Sequence, residues 1–317
     1  MSTAIQKPSP EGLESAAARV DRVFAFMFAK PAREWVERIV LVAACVGFLV
    51  HLGLVGLARL GWFGLDPEAQ LLGNPIAAAY TPFSLILVYE VYLLVYYLPS
   101  STTRYIQKQY EIATLIIVRR LFKDLAAVEI TSDWFQNAAD LKFTYDVAAS
   151  VVLFLLLFAF LAIERRKPKP IHIREEDMRP GLRRFITFKK GVSILLAPVL
   201  FVLAAYTFVS WTIGALSPSD DLAGRLTDIN TLFFYDFFAI LIVVDVVLLL
   251  GSLFLTDAFH TVMRNSSFIV STILIRLSFG DEGLVSVVLI VSAVAFGVLM
   301  LWIYSFFEKA EVEASPS

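Results

Sequence analysis

Residues 143–163 read FTYDVAASVVLFLLLFAFLAI, and ERRKPK follows directly at 164–169. A helix needs roughly 20 mostly apolar residues to cross the ~30 Å hydrocarbon layer of a bilayer. The apolar stretch has that length, and Lys and Arg are enriched beside spans on the cytoplasmic side. This part of the chain therefore predicts a transmembrane helix that ends at the cytoplasmic face.

The composition of the whole chain agrees with a membrane protein. Of its 317 residues, 58% are hydrophobic and 18% are charged, and the mean hydropathy is +0.73. Soluble domains are closer to half apolar and a quarter charged. A net charge of −2 argues against nucleic-acid binding, and the single cysteine, Cys45, excludes a disulfide framework and a thiolate metal cluster.

Six runs are apolar enough to span the membrane, and two further segments are shorter. The six runs are residues 39–60, 82–98, 143–163, 192–214, 231–255 and 284–307. The two shorter segments, 104–122 (RYIQKQYEIATLIIVRRLF) and 258–279 (AFHTVMRNSSFIVSTILIRLSF), are framed by charges, which is also typical of interfacial or re-entrant helices.

Loop charge decides between six and eight spans. The loop 164–190 carries ten basic and four acidic residues, so we expect it in the cytoplasm. It reaches that side from a cytoplasmic N-terminus only if 104–122 crosses as well. The acidic stretch 124–140 then faces outward, and the same reasoning makes 258–279 a span. We predict an all-α integral membrane protein of the bacterial inner membrane, with eight transmembrane helices and both termini cytoplasmic.

The two halves of the chain resemble each other. Residues 89–94 (YEVYLL) align with 244–249 (VDVVLL), and 112–122 (IATLIIVRRLF) align with 269–279 (IVSTILIRLSF). We therefore expect two tandem four-helix halves, at 38–163 and 191–307, joined by the basic loop 164–190. Residues 1–37 form a cytoplasmic segment with an interfacial amphipathic helix, and 308–317 form an acidic tail.

Charged residues inside the spans are the candidate functional groups, because ionisable side chains at bilayer depth usually face a bundle interior or a wet cavity. Depth along the helices suggests that Asp236 pairs with Arg276, and that Arg119 reaches toward Glu90. The alternative is that these groups only form ion pairs between helices. The transport or gating candidates are Glu90, Asp245, Arg119, Arg276, Asp236 and Glu111.

The sequence lacks the motifs of common enzymes and of the potassium-channel selectivity filter. It contains no Walker loop, no Gly-x-Ser-x-Gly, no His-Glu-x-x-His and no TVGYG-like filter, so we expect no enzyme activity, cofactor or metal site. The leading hypothesis is a channel or transporter-like protein for an ion or small solute. The alternative is a non-transporting sensor or assembly subunit that works with a partner protein.

The basic loop predicts contact with the bilayer surface. Lys and Arg close to a membrane attract anionic lipids, although the same residues could bind a partner. A second copy of the chain or another membrane protein remains an expected partner. The candidate lipid or partner contacts are Arg165, Arg166, Lys167, Lys169, Arg183 and Arg184.

Overall fold

The computed structural model describes residues 10–61, 75–125, 137–166, 180–216, 222–253, 259–281 and 283–314. These ranges contain helices and no strand. The helices are α1 (Pro10–Met27), α2 (Lys30–Arg59), α3 (Tyr80–Tyr97), α4 (Thr102–Leu125), α5 (Ala138–Arg165), α6 (Pro180–Leu216), α7 (Leu222–Leu253), α8 (Phe259–Ser278) and α9 (Gly283–Ala314), with a short 3-10 helix at Pro75–Ala79.

Successive helices from α2 to α9 run in opposite directions, as contacts between their ends show. The end of α4 meets the start of α5 through Arg120 and Asp146, and the start of α8 meets the end of α9 through Arg264 and Tyr304. Each helix therefore carries the chain from one end of the bundle to the other, and each connection lies at one end. We call the end that holds Arg165, Arg166, Arg183 and Arg184 the basic end, and the other the opposite end.

Four stretches of the described residues are long and apolar enough to cross a membrane. They are Ser15–Arg59, Asp140–Arg165, Pro180–Leu203 and Gly283–Glu308. Large apolar side chains on these helices point away from the protein, among them Leu49, Phe158 and Phe201, whose exposed fractions are 64%, 69% and 76%. Soluble monomers rarely expose so much apolar surface, so these faces suit contact with lipid.

The two short segments of the sequence, α4 and α8, carry many of the buried polar residues of the bundle. In α4, Tyr110, Ala113 and Ile117 on one face and Ile112 on the opposite face are all fully buried. In α8 the buried residues include Asn265, Ser271 and Thr272. Helix α4 packs along α5, and α8 packs along α9. One face of α8 is exposed and apolar at Val270 and Leu277, whereas its buried face and most of α4 meet protein and can carry polar groups there.

Helix α1 lies across the basic end, close to where an interfacial helix was predicted. It packs along the start of α6, and the Lys190 amine donates to the Asp21 carboxylate at 2.8 Å. The Phe28 ring lies 5.8 Å from that of Tyr92 on α3. At the chain's other end, α9 continues to Ala314, so the predicted acidic tail at 308–317 begins as helix.

Candidate functional site

Asp245 lies on α7 about eight residues from the basic end and is almost completely buried, with 5% of its surface exposed. The Gln109 amide on α4 donates to a carboxylate oxygen of Asp245 at 3.0 Å. The Gln109 carbonyl accepts from the Thr272 hydroxyl on α8 at 2.7 Å. Gln109 therefore joins three helices, and its amide holds a carboxylate that burial alone would disfavour.

A small polar cavity of about 30 Å³ reaches Asp245. A space of this size holds one or two water molecules when enough polar groups surround it. Its polar walls come from α4, α6, α7 and α8, and they carry both charges, since Lys189 and Asp245 line the same space. The lining residues are Thr102, Tyr105, Ile106, Phe185, Lys189, Asp245, Leu248, Leu249, Ser252, Asn265, Phe268 and Ile269.

Lys189 brings a nearly buried ammonium group to this cavity. Only 6% of its surface is exposed, and its Nζ donates to the Ser100 carbonyl in the turn between α3 and α4 at 3.0 Å. The amine also lies 5.3 Å from the centre of the Phe185 ring. Tyr105 lies beside Asp245 on the α4 wall. The site thus combines a carboxylate, an ammonium group and neutral hydrogen-bonding side chains.

Glu90 and Glu111 occupy a second cluster on another side of α4. The Gln107 amide donates to Glu111 at 2.6 Å, and Lys108 forms an ion pair with the same carboxylate. The charged neighbours of Glu90 are Lys108 and Glu111. The basic residue near Glu90 is therefore Lys108, whereas the sequence suggested Arg119. Arg119 lies two turns beyond Glu111, roughly 12 Å further along α4. The structure therefore does not bring Glu90 and Asp245 into one cavity.

A buried ion pair closes the opposite end of the bundle. Arg120 donates through Nε and Nη2 to both carboxylate oxygens of Asp146, each at 2.5 Å, and through Nη1 to the Ser286 hydroxyl at 3.0 Å. Ser286 in turn donates to the Ser278 carbonyl at 2.7 Å. These contacts fix the ends of α4, α5, α8 and α9 to one another. Such bidentate pairs are geometrically specific.

The remaining charged candidates lie closer to this opposite end. Arg119 is 6% exposed on α4, whereas Arg276 on α8 and Asp236 on α7 are half-buried. The pairing of Asp236 with Arg276 stays a prediction. None of these three residues lines the Asp245 cavity.

An apolar layer separates the two polar regions. Ile117 on α4, Ile275 on α8 and Ile290 on α9 are all fully buried. Along their helices they lie between the Asp245 region and the Arg120–Asp146 pair. We call these three residues the isoleucine layer. All three belong to one packed apolar core, so buried apolar side chains lie between the cavity and the opposite end.

The basic loop is described only at its borders. Arg165 and Arg166 at the end of α5 and Arg183 and Arg184 at the start of α6 are exposed. They are therefore accessible to lipid headgroups or to a partner. Lys167 and Lys169 lie outside the described residues, as does most of the acidic stretch 124–140.

Four residues of the site were missed by sequence reasoning. Lys189 counted only as loop charge, and Gln109, Thr272 and Asp146 were not singled out. Depth could have revealed Asp146, because it lies near the outer end of its helix, as Arg120 does on the preceding one. Gln109 and Thr272 gave no signal of their own, since their role depends on which helices meet.

Comparison with protein-family models, curated proteins and solved structures finds no match. The fold and the site therefore define only a class, an all-α protein whose described residues include four stretches able to cross a membrane and a small cavity that a buried carboxylate lines. Among the described residues, no group of three His, Cys, Asp or Glu side chains could hold a metal ion.

Proposed function

We propose that this protein spans the bacterial inner membrane eight times and moves an ion or small solute, using Asp245 as the charged group of its path. The observation that carries the proposal is the buried carboxylate that faces a water-sized cavity. Ionisable groups inside spans are costly to bury and commonly mark transport paths.

The alternating direction of α2 to α9 supports eight spans. Four of these helices are apolar enough to cross alone. The intervening helices run beside them in the opposite direction, and α4, with 24 residues, extends roughly 36 Å. A helix in the centre of a bundle can cross without being apolar, because its polar groups meet protein partners.

Single cysteines at residues 133 and 174 test this topology in a Cys45→Ala background. Eight spans place residue 133 outside and residue 174 inside, with both termini cytoplasmic. An impermeant maleimide should therefore label the first position in intact cells and the second only after lysis. Labelling of both positions from one side would contradict eight spans.

The packing order supports two related halves. Helix pairs α2–α3, α3–α4 and α4–α5 are neighbours, and so are α6–α7, α7–α8 and α8–α9 in the second half. The sequence alignment also matches Lys108 with Asn265. Lys108 neighbours Glu90 in the first half, and Asn265 lines the Asp245 cavity in the second. Equivalent helices thus carry an acidic group beside an equivalent polar partner.

The closed isoleucine layer supports a gated path rather than an open pore. Asp245 lies on the basic-end side of the layer, and the Arg120–Asp146 pair lies beyond it. Transport would require the helices to separate at Ile117, Ile275 and Ile290. The structure fits a resting state in which the Asp245 carboxylate is accessible only from the basic end.

Flux from proteoliposomes tests the function. Asp245→Asn keeps the size of the side chain and removes its charge, so we expect flux to fall at least 10-fold while the protein stays monodisperse. Glu34→Gln is the matched control, because it removes a carboxylate that is exposed on α2 and only 4.0 Å from Lys30. Equal flux from wild type and Asp245→Asn would remove Asp245 from the path.

A sensor or assembly subunit is the second candidate function, and the exposed α2 favours it. Trp35, Val42 and Leu49 on this helix are 67%, 63% and 64% exposed, although α3 packs along its other side. Such a face can bind another membrane helix as well as lipid. A partner that co-purifies in fixed stoichiometry, together with no flux of any ion, would favour this function.

A further inference from the structure

We propose that the transported ion is the proton, and that Lys189 keeps metal cations out of the Asp245 cavity. This inference rests on the proposed function and names its substrate. It comes from the size of the cavity, from the charges on its walls and from the hydroxyl groups beyond it.

The cavity has too little room for a metal cation that keeps its hydration shell. A bare cation would meet one carboxylate and the neutral oxygens of Thr102, Tyr105, Ser252 and Asn265 there. Its volume of about 30 Å³ leaves space for one or two waters. An alkali cation must replace its hydration shell with several oxygens. Asp245 supplies one carboxylate, and Gln109 already occupies one of its oxygens. A hydrated metal ion or an organic solute does not fit beside Lys189.

The Lys189 ammonium adds a fixed positive charge to this space. The Ser100 carbonyl holds it in place, and the Phe185 ring packs against it. A second cation in the same cavity would meet direct repulsion in a region that screens charge poorly. Arg264 on α8 adds a further positive charge near Lys189. The hydrogen-bonded Lys189 ammonium group therefore already places a cation in the cavity, and a metal ion would have to displace it.

A proton needs no coordination shell, because it forms a covalent bond with a carboxylate oxygen, and that bond can offset the repulsion from Lys189. A hydronium ion in the cavity transfers its proton to the Asp245 carboxylate and becomes water, and the carboxylic acid later returns the proton to a water or another acceptor. No other bond changes. The neutral groups that face Asp245 are Gln109 and Tyr105 on α4 and Thr272 on α8.

Hydroxyl groups continue from the cavity toward the isoleucine layer. The Ser271 hydroxyl, next to Thr272, donates to the Ala293 carbonyl at 2.7 Å, so the Tyr110 hydroxyl donates to Ser271 at 2.9 Å. Thr114 lies one turn further along α4 and is 1% exposed. Thr114 donates to the Tyr110 carbonyl, so these hydroxyls form separate hydrogen bonds and offer a metal ion only scattered single ligands.

Two flux assays on the same proteoliposomes test the inference. A pH-sensitive dye inside the vesicles reports protons, and a thallium-sensitive dye reports monovalent metal cations. We expect wild type to carry protons and to show no thallium flux above empty vesicles. Thallium flux through wild type would overturn the inference and leave the proposed function standing. No flux of either ion would overturn the proposed function itself.

Lys189 variants test the exclusion of metal ions. Lys189→Gln keeps a donor for the Ser100 carbonyl and removes the charge, so we expect thallium flux at least 10-fold above that of empty vesicles. Lys189→Arg keeps the charge, so we expect it to carry protons and no thallium. If Lys189 had only a structural role, the charge of the replacement would not decide which ion passes. If Lys189→Gln is folded and monodisperse but gains no thallium flux, Lys189 does not exclude metal ions.

Discussion

Gly297 on α9 leaves the space that Tyr110 occupies, and replacing it with alanine should destabilise the bundle strongly. A Cβ at residue 297 would overlap the Tyr110 hydroxyl oxygen and lie 2.7 Å from Cζ. The ring cannot retreat easily, because it is fully buried and lies edge-on to Phe160 with centroids 5.3 Å apart. Gly297→Ala must therefore move a central helix or break the Tyr110–Ser271 hydrogen bond.

The expected cost has two parts. Overpacking a tight core costs about 1–3 kcal/mol. Separating the Tyr110 hydroxyl from Ser271 leaves a buried polar group without its partner, which costs about 1–3 kcal/mol more. We expect a loss of about 1–3 kcal/mol in the free energy of unfolding if only one of these changes occurs and up to about 6 kcal/mol if both do, measured in bicelles by reversible steric trapping.

Two further variants make this prediction specific. Gly56→Ala is the control, because nothing lies within 4 Å of a Cβ there, and the higher helix propensity of alanine should leave stability equal or up to about 1 kcal/mol greater. Tyr110→Phe removes the overlapping oxygen, so Gly297→Ala should cost clearly less in that background. If Gly297→Ala is as stable as Gly56→Ala, the packing of Tyr110 against α9 is wrong.

Three further predictions concern the polar interior. Asp146→Asn leaves Arg120 buried without its charge partner and should cost about 3–5 kcal/mol, whereas replacing both residues with leucine should cost less, as unfolding measurements can show. Ile117→Ser should hydrate the isoleucine layer and raise proton flux several-fold, and an unchanged rate would mean that the layer is not the barrier. Gln109→Leu leaves Asp245 and Thr272 without their partner, so it should cost about 1–3 kcal/mol of stability for each unpaired group and should lower flux. Gln109→Glu should keep the hydrogen bond to Thr272, but its charge should repel Asp245 and lower flux as well.

The sequence predicted the helices better than their ends. The run 39–60 identified α2, yet the helix begins at Lys30, because the charged turns before the apolar run are helical too. In the same way α6 begins at Pro180, within the predicted loop 164–190. Hydropathy marks the part of a helix that suits lipid, and the helix itself continues as far as its backbone hydrogen bonds do.

The candidate site was predictable only in part. Asp245 was found because an acidic residue inside an apolar run is conspicuous by itself. Lys189 was not, because its burial depends on Ser100 and Phe185, and these contacts depend on how α6 meets the turn between α3 and α4. Partners that lie 89 or 136 residues away along the chain leave no periodic pattern in a single sequence.

Among α2 to α9, the least apolar helices are α4 and α8, and their buried polar side chains find protein partners instead of lipid. Gln109, Tyr110 and Arg120 on α4 bond to α7, α8 and α5 respectively, and Ser271 on α8 bonds to α9. A hydropathy scale scores these residues as if each faced hydrocarbon, so it ranks these two helices below the others. The same burial that weakens the hydropathy signal gathers hydrogen-bonding groups on α4 and α8 on both sides of the isoleucine layer. The proton transport proposed above therefore depends on two helices that hydropathy alone would have assigned to the membrane surface.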